Sequence, residues 1–230
     1  MNVIIKTFLF SAVLASTFVQ ASEVRGVTVG GTRLIYQGGK KEVSLNVSNS
    51  DTGPYLIQSW AETTNGGTEK APFIITPPLF RLDAQQQNML RVVRAGGNLP
   101  EDRESLFWLN IKSIPSGSPT SNANTLQLSV KTRTKLIYRP QGIKGVPDDV
   151  AKDLTWNQKG TNLTVNNPTP FYMNFQQVKV GGREINNVNY VAPMSTSTFT
   201  TPPGVSGSVT WKVITDYGAI GNEHSSSKSN

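Results

Sequence analysis

"LQLSVKTRTKLIYRP", residues 126–140, is the stretch from which the fold can be read. Leu126, Leu128 and Val130 alternate with Gln127, Ser129 and Lys131, the period-2 pattern of a strand with one apolar face. The run is about twice the common strand length. It carries Lys131, Arg133, Lys135 and Arg139 with no acid among them, and Pro140 ends it. Alternation alone does not say whether the apolar face fills this protein's own core or a borrowed one. Parity does separate Leu126, Leu128 and Val130, on one face, from Lys135 on the other. At 3.3–3.4 Å per residue, Lys135 lies about 17 Å along the strand from Val130.

Upstream, similar runs recur: "EVRGVTVGGTRLIYQ", "KEVSLNVSN", "YLIQSWAET", "FIITPPLFRLD", "NMLRVVRA" and "SLFWLNIKSI". Between them lie "QGGK", "SNSDTGP", "AGGNLPED" and "PSGSPTSNAN", rich in the residues that favour turns. Seven short strands at this spacing predict an immunoglobulin-like β-sandwich. Downstream of Pro140 a second series follows, from "LTWNQK" to "SVTWKVITDYGAI", and predicts a smaller all-β domain. The Pro- and Gly-containing stretch 139–149 separates the two, giving units 22–140 and 141–230. "VPDDVAKDL" suits one short helical turn.

The first 21 residues read as a secretory signal peptide. Lys6 supplies the positive end, an apolar stretch follows, and Val19-Gln20-Ala21 fits a small-residue cleavage site. That stretch is too short and too weakly apolar for a membrane span, and no later segment is a candidate. Export makes the absence of cysteine informative: the fold must rest on core burial, without disulfides.

The net charge of +7 raises nucleic acid as a partner. The basic residues are spread along the chain without a dense run, which argues for a charged surface with at most a local anion site. The one histidine, His224, falls in the polar tail "GNEHSSSKSN", where fraying is expected. Zinc sites and Ser-His-Asp triads need more than that. Asp51-Thr52-Gly53 matches an aspartic-protease triplet, but it occurs once, inside a turn-rich loop, where paired carboxylates are required. The four tryptophans, Trp60, Trp108, Trp156 and Trp211, sit in strand-like runs and are expected to fill cores. Glu104, Arg139 and Asp216 are charges flanked by apolar sequence. Spacing leaves open whether they form a buried network or reach water separately.

Taken in order, "GGTRLIY" (30–36), "YLIQSW" (55–60), "FIITPPLF" (73–80), "DRESLFWLNIKSIP" (102–115), "LQLSVKTRTKLIYRP" (126–140), "NPTPFY" (167–172) and "DYGA" (216–219) resemble the PapD-like periplasmic pilus chaperones, the type 1 fimbrial group in particular. The resemblance spans almost the whole exported chain. It implies an all-β protein of two immunoglobulin-like β-sandwich domains arranged in an L. It also implies a non-enzymatic function without cofactor, metal or nucleotide: binding pilin subunits by donor-strand complementation and delivering them to an outer-membrane usher. By the same resemblance, Arg33 and Lys135 anchor the subunit's C-terminal carboxylate. Leu126, Leu128, Val130 and Thr132 are the donated residues, and Glu104, Arg139 and Asp216 form an interdomain charge network. On their own, Arg33 and Lys135 read as surface charge. Thr132 and Thr134 depart from the family, whose members often carry larger apolar residues there. The short connection "PSGSPTSNAN" matches the class serving rod-like pili, and Thr76-Pro77-Pro78 matches a segment where a cis proline is plausible. A donor strand with exposed Leu126, Leu128 and Val130 makes self-capping by a second copy reasonable. The alternative function is a secreted β-sandwich that binds carbohydrate as an adhesin. A β-sandwich hydrolase lacks a base–nucleophile pair.

Overall fold

The computed structural model describes residues 26–65, 70–117 and 127–226. The signal segment 1–21 and Leu126 lie outside the described residues. The N-terminal unit is a sandwich of two sheets. One runs in the order β1 (Val27–Val29), β3 (Glu42–Asn49), β7 (Gln87–Arg94), β5 (Phe73–Thr76). The other runs β2 (Arg33–Gln37), β9 (Val130–Arg139), β8 (Ser105–Pro115), β4 (Tyr55–Thr63), β6 (Leu79–Leu82). Every pairing is antiparallel except β2 with β9, which is parallel.

Two of the runs expected as single strands divide. Within the run 23–37, the described residues give β1 in one sheet and β2 in the other, with the crossing at Gly30-Gly31. Gly31 has φ +93°, a region that suits glycine. Residues 73–83 divide into β5 and β6 at Pro77-Pro78, which lack the N–H groups a ladder needs. The Thr76–Pro77 bond is cis. Both breaks move the chain from one sheet to the other, so among the described residues seven runs become nine strands around one core. Alternate residues fill it, among them Val47, Ile57, Leu90, Leu109, Leu136 and Tyr138. Asp51-Thr52-Gly53 lies in the β3–β4 turn, where the buried Asn49 amide donates to the carbonyls of Gly53, Leu82 and Asp83.

A second core belongs to the C-terminal unit. Its sheets are β10 (Thr155–Lys159), β11 (Asn162–Asn167), β15 (Ser195–Thr200), and β13 (Arg183–Glu184), β12 (Met173–Val180), β16 (Val209–Ile214), β17 (Ile220–Ser225); β14 (Tyr190–Val191) also pairs with β12. The connection holds one helical turn, α1 (Pro147–Val150), followed by a 3₁₀ turn over Ala151–Asp153. Pro147 occupies its first positions, where a missing N–H costs nothing.

Two expectations are corrected here. His224 is not in a frayed tail: it lies in β17, paired with β16, its ring stacked 5.9 Å from that of Trp211. Polar side chains suit such an edge strand, so the sequence carries little strand signal there. Of the tryptophans, Trp156 and Trp211 fill the second core, while Trp60 and Trp108 are only partly buried, on the outer face of the β4–β8–β9 sheet.

Candidate functional site

The strand that decides the fold is shorter than its sequence pattern: pairing begins at Val130, and Gln127–Ser129 lie outside the ladder. β8 pairs with β9 along Val130–Tyr138. β2 covers the other edge only from Lys135 to Arg139. Among the described residues, no strand covers that edge over Val130–Thr134. Side chains of even number face the core. Tyr138, Leu136 and Thr134 are buried, Thr132 is half-buried, Val130 is 58 % exposed and Leu128 is 67 % exposed. The apolar row therefore runs out of the protein's own core into solvent, beside unpaired backbone. Leu126 lies outside the described residues.

Where the open edge ends, two cations stand side by side. Arg33, first residue of β2, is in register with Lys135 on β9. Lys135 Nζ donates to Asn174 Oδ1 and lies 3.4 Å from Asn189 Oδ1. It also sits 4.8 Å from the centre of the Tyr190 ring. Arg33 Nη1 donates to the Ile214 carbonyl at 3.3 Å, and Arg33 Nε is buried without a hydrogen-bond partner. Burial, and then the neighbouring Arg33 charge, lower the Lys135 ammonium to about 8. Burial also lowers the Arg33 guanidinium, against the pull of Asp216 and Glu104. Among the described residues neither cation forms an ion pair, because those two acids are bonded to Arg139. Two partly desolvated, adjacent cations without an ion-pair partner among the described residues can donate charge-assisted hydrogen bonds to a carboxylate.

Arg139 is the centre of the domain junction. Its Nε donates to Glu104 Oε1 at 2.7 Å, and Nη1 and Nη2 donate to Asp216 Oδ2 and Oδ1 at 2.6 and 2.7 Å. Glu104 Oε2 accepts the Tyr172 N–H at 2.7 Å, and the Glu104 N–H donates to the Pro170 carbonyl. Burial pushes the Glu104 carboxyl up, opposed by the Arg139 charge and the Tyr172 N–H. Burial would lower Arg139, but the bonds to Asp216 and the charge of Glu104 outweigh it and hold it raised. "NPTPFY" takes its shape from the buried Asn167, whose amide donates to the Phe171 and Ala192 carbonyls while its oxygen accepts from Thr169. That turn presents Pro170 and Tyr172 to Glu104.

Several residues at the junction carry no plain sequence signal. Asn174 and Asn189 hold Lys135, yet only Asn174 leaves a trace: a polar residue between Met173 and Phe175, all three buried. A strand buried on both faces packs against something on its second face. Leu106 and Ile137 give the same signal, being buried yet outside both cores. Gly218, in "DYGA", has φ +81°, and a Cβ there would lie 2.5 Å from Thr32 Oγ1. The β16–β17 turn therefore rests directly against the residue before Arg33.

Known proteins match most of the chain. Residues 26–144 match the family of pili and flagellar-assembly chaperones, PapD N-terminal domain. Residues 149–225 match the pili assembly chaperone PapD, C-terminal domain. The chain is 44 % identical over 216 residues to the probable fimbrial chaperone LpfB of Escherichia coli O157:H7, covering 91 % of this chain and 92 % of that one. It is 42 % identical over 198 residues to the chaperone FimC of Escherichia coli K12, covering 85 % and 81 %. Among solved structures, a chain of the Salmonella enterica SafA pilin–SafB chaperone complex superposes with a TM-score of 0.82 at 43 % identity, over 90 % of this chain and 98 % of that one. The Escherichia coli chaperone DraB gives 0.79 at 41 %, over 89 % and 97 %. With two sandwiches each matched over nearly its full length, the chain belongs to the PapD-like family of pilus-assembly chaperones.

Proposed function

We propose that this pilus-assembly chaperone works in the periplasm by lending β9 to an incomplete pilin sandwich, anchored on the subunit's C-terminal carboxylate by Arg33 and Lys135. The observation that carries this reading is the open edge of β9, with core-facing apolar residues exposed beside it and two cations without a counter-ion at its end. A strand added to that edge lies end to end with β2. If it runs parallel to β9, as β2 does, its C-terminus meets Arg33 and Lys135. The opposite direction would bring an N-terminal ammonium against two cations, so charge selects the parallel arrangement. Leu128 and Val130 would then enter the partner's apolar groove, each contributing about 1.5–3 kcal/mol on full burial.

The signal peptide 1–21 supports export, and the relatives are fimbrial chaperones. Strand addition also explains release: a better-fitting donor from the next subunit displaces β9 at the usher, with no nucleotide required. The exposed apolar row gives the free protein a reason to self-associate.

The test is co-purification from periplasm. Tagged wild type, Arg33→Ala and Lys135→Ala are each expressed with candidate pilins, and retained chains are identified by mass. Wild type is expected to retain a pilin that both folded variants lose. Equal retention by all three defeats the anchor.

A further inference from the structure

Three basic side chains of β9, Lys131, Arg133 and Lys135, project away from the core, and each lies against an aromatic ring. Lys131 Nζ is 4.9 Å from the centre of Trp60, Arg133 Cζ is 4.5 Å from Trp108 and Lys135 Nζ is 4.8 Å from Tyr190. The register builds this face in rows across three strands: Gln58, Lys112 and Lys131; then Trp60, Asn110 and Arg133; then Glu62, Trp108 and Lys135. Glu62 is the one carboxylate in these rows. Its Oε1 accepts the Trp60 indole N–H at 2.7 Å and lies 3.5 Å from Lys131, and its Oε2 lies 3.6 Å from Arg133 Nη2. One acid therefore serves two cations at long range, while Lys112 stands directly opposite Lys131.

We propose that this face selects its partner: the pilin strand that adds to β9 carries Asp or Glu at the outward positions beside Lys131 and Arg133. The inference rests on the strand-addition reading above and adds the chemistry of the added strand. In a sheet, same-face neighbours on adjacent strands come close enough for opposite charges to attract and like charges to repel. The aromatic rings and Glu62 draw the Lys131 and Arg133 heads across β8 toward β4, so an added strand beside β9 meets their long stems and an excess of positive charge, and an acid on it recruits the heads by rotation of those stems. The inward face cannot discriminate in this way, because any unfinished sandwich offers an apolar groove to Leu128 and Val130. The outward face carries an uncompensated positive charge, and it penalises a strand with Lys or Arg there.

The experiment uses the full exported chain and synthetic strand peptides with a free C-terminal carboxylate. Their inward positions are Leu and Val, and their two outward positions beside Lys131 and Arg133 are both Glu, both Ser or both Lys. A C-terminally amidated copy of the Glu peptide is the fourth probe. Affinity is read by titration calorimetry at low and high salt. The Glu peptide is expected to bind about tenfold more tightly than the Lys peptide, with Ser between and the spread narrowing in salt. Lys131→Glu/Arg133→Glu should reverse the order, while Lys40→Glu/Lys41→Glu, which changes the net charge equally away from this face, should preserve it. Equal affinity for the three free-acid peptides, with the amide still weaker, overturns this inference and leaves the anchor standing. Equal affinity for the Glu acid and its amide overturns the anchor reading instead. A preference that the Lys40/Lys41 variant reverses as fully as the Lys131/Arg133 variant assigns the effect to overall charge and overturns the local site.

Discussion

At the residue scale, the proposed anchoring by Lys135 would link binding to pH. Its ammonium is lowered to about 8 from an ordinary 10.5 by burial and by Arg33, so the folded protein holds this proton less tightly than the unfolded chain. The cost to folding is fully present below about 8 and is relieved as the pH rises from there toward 10.5; the contribution of Lys135 to stability thus improves over that window. A bound carboxylate has the opposite preference, since it favours the charged ammonium. Capture of a free-acid subunit should weaken as the pH climbs above about 8, while urea denaturation of the free chaperone shows no parallel loss from this group. Lys135→Arg should bind with a flatter pH profile, because guanidinium stays charged. A wild-type profile flat from pH 7 to 9.5 would show that Lys135 is not the titrating contact. Arg139 belongs to the same scale. Removing it in Arg139→Ala leaves Glu104 buried beside Asp216 without a cation, and should cost about 3–5 kcal/mol in urea denaturation.

At the scale of the element, β9 divides by where its residues lie relative to the protein's own core. Leu136 is fully buried, and Leu136→Ala should lower stability by about 2–5 kcal/mol. Val130 and Leu128, of the same parity, are exposed, so Val130→Ser and Leu128→Ser should leave the urea midpoint nearly unchanged. Each should instead weaken pilin capture by about ten- to a hundredfold, the equivalent of losing one apolar burial in the complex. Stability lost on Val130→Ser, with capture kept, would mean that the residue serves its own sandwich. Thr132 is half-buried between the two regimes, and its polarity explains why the alternation fades there.

At the scale of the whole molecule, the junction joins the Glu104–Arg139–Asp216 network to Arg33 and Lys135, the proposed anchor. The end of β16 and the turn that follows it supply the Ile214 carbonyl to Arg33, Asp216 to Arg139, and Gly218 against Thr32. Domain placement and anchor geometry are therefore set by one piece of backbone. Gly218→Val meets both a positive φ and a Cβ collision with Thr32, so it should lower stability by about 1–2 kcal/mol or more. It should also reduce pilin capture, although Gly218 itself contributes no side chain. The check is to compare its capture with that of a variant equally destabilised in the first core: equal capture would separate junction from anchor.

The two β-sandwiches and the alternation along β9 were legible in the sequence. Those depend on local periodicity and on turn residues, which neighbours in sequence suffice to specify. The sequence also carried the charges Glu104, Arg139 and Asp216, without saying that they meet. Their meeting, the splitting of the runs 23–37 and 73–83 between sheets, the strand that holds His224, and the cradle of Asn174, Asn189 and Tyr190 around Lys135 emerge only in the tertiary structure. So does the open edge of β9: alternation is the same for Leu136 as for Val130, and only the end of β2 at Arg33 determines where the protein's own sheet stops covering the strand. Pairing and burial are relations between segments far apart in the chain, and a periodic pattern cannot report what, if anything, lies opposite it.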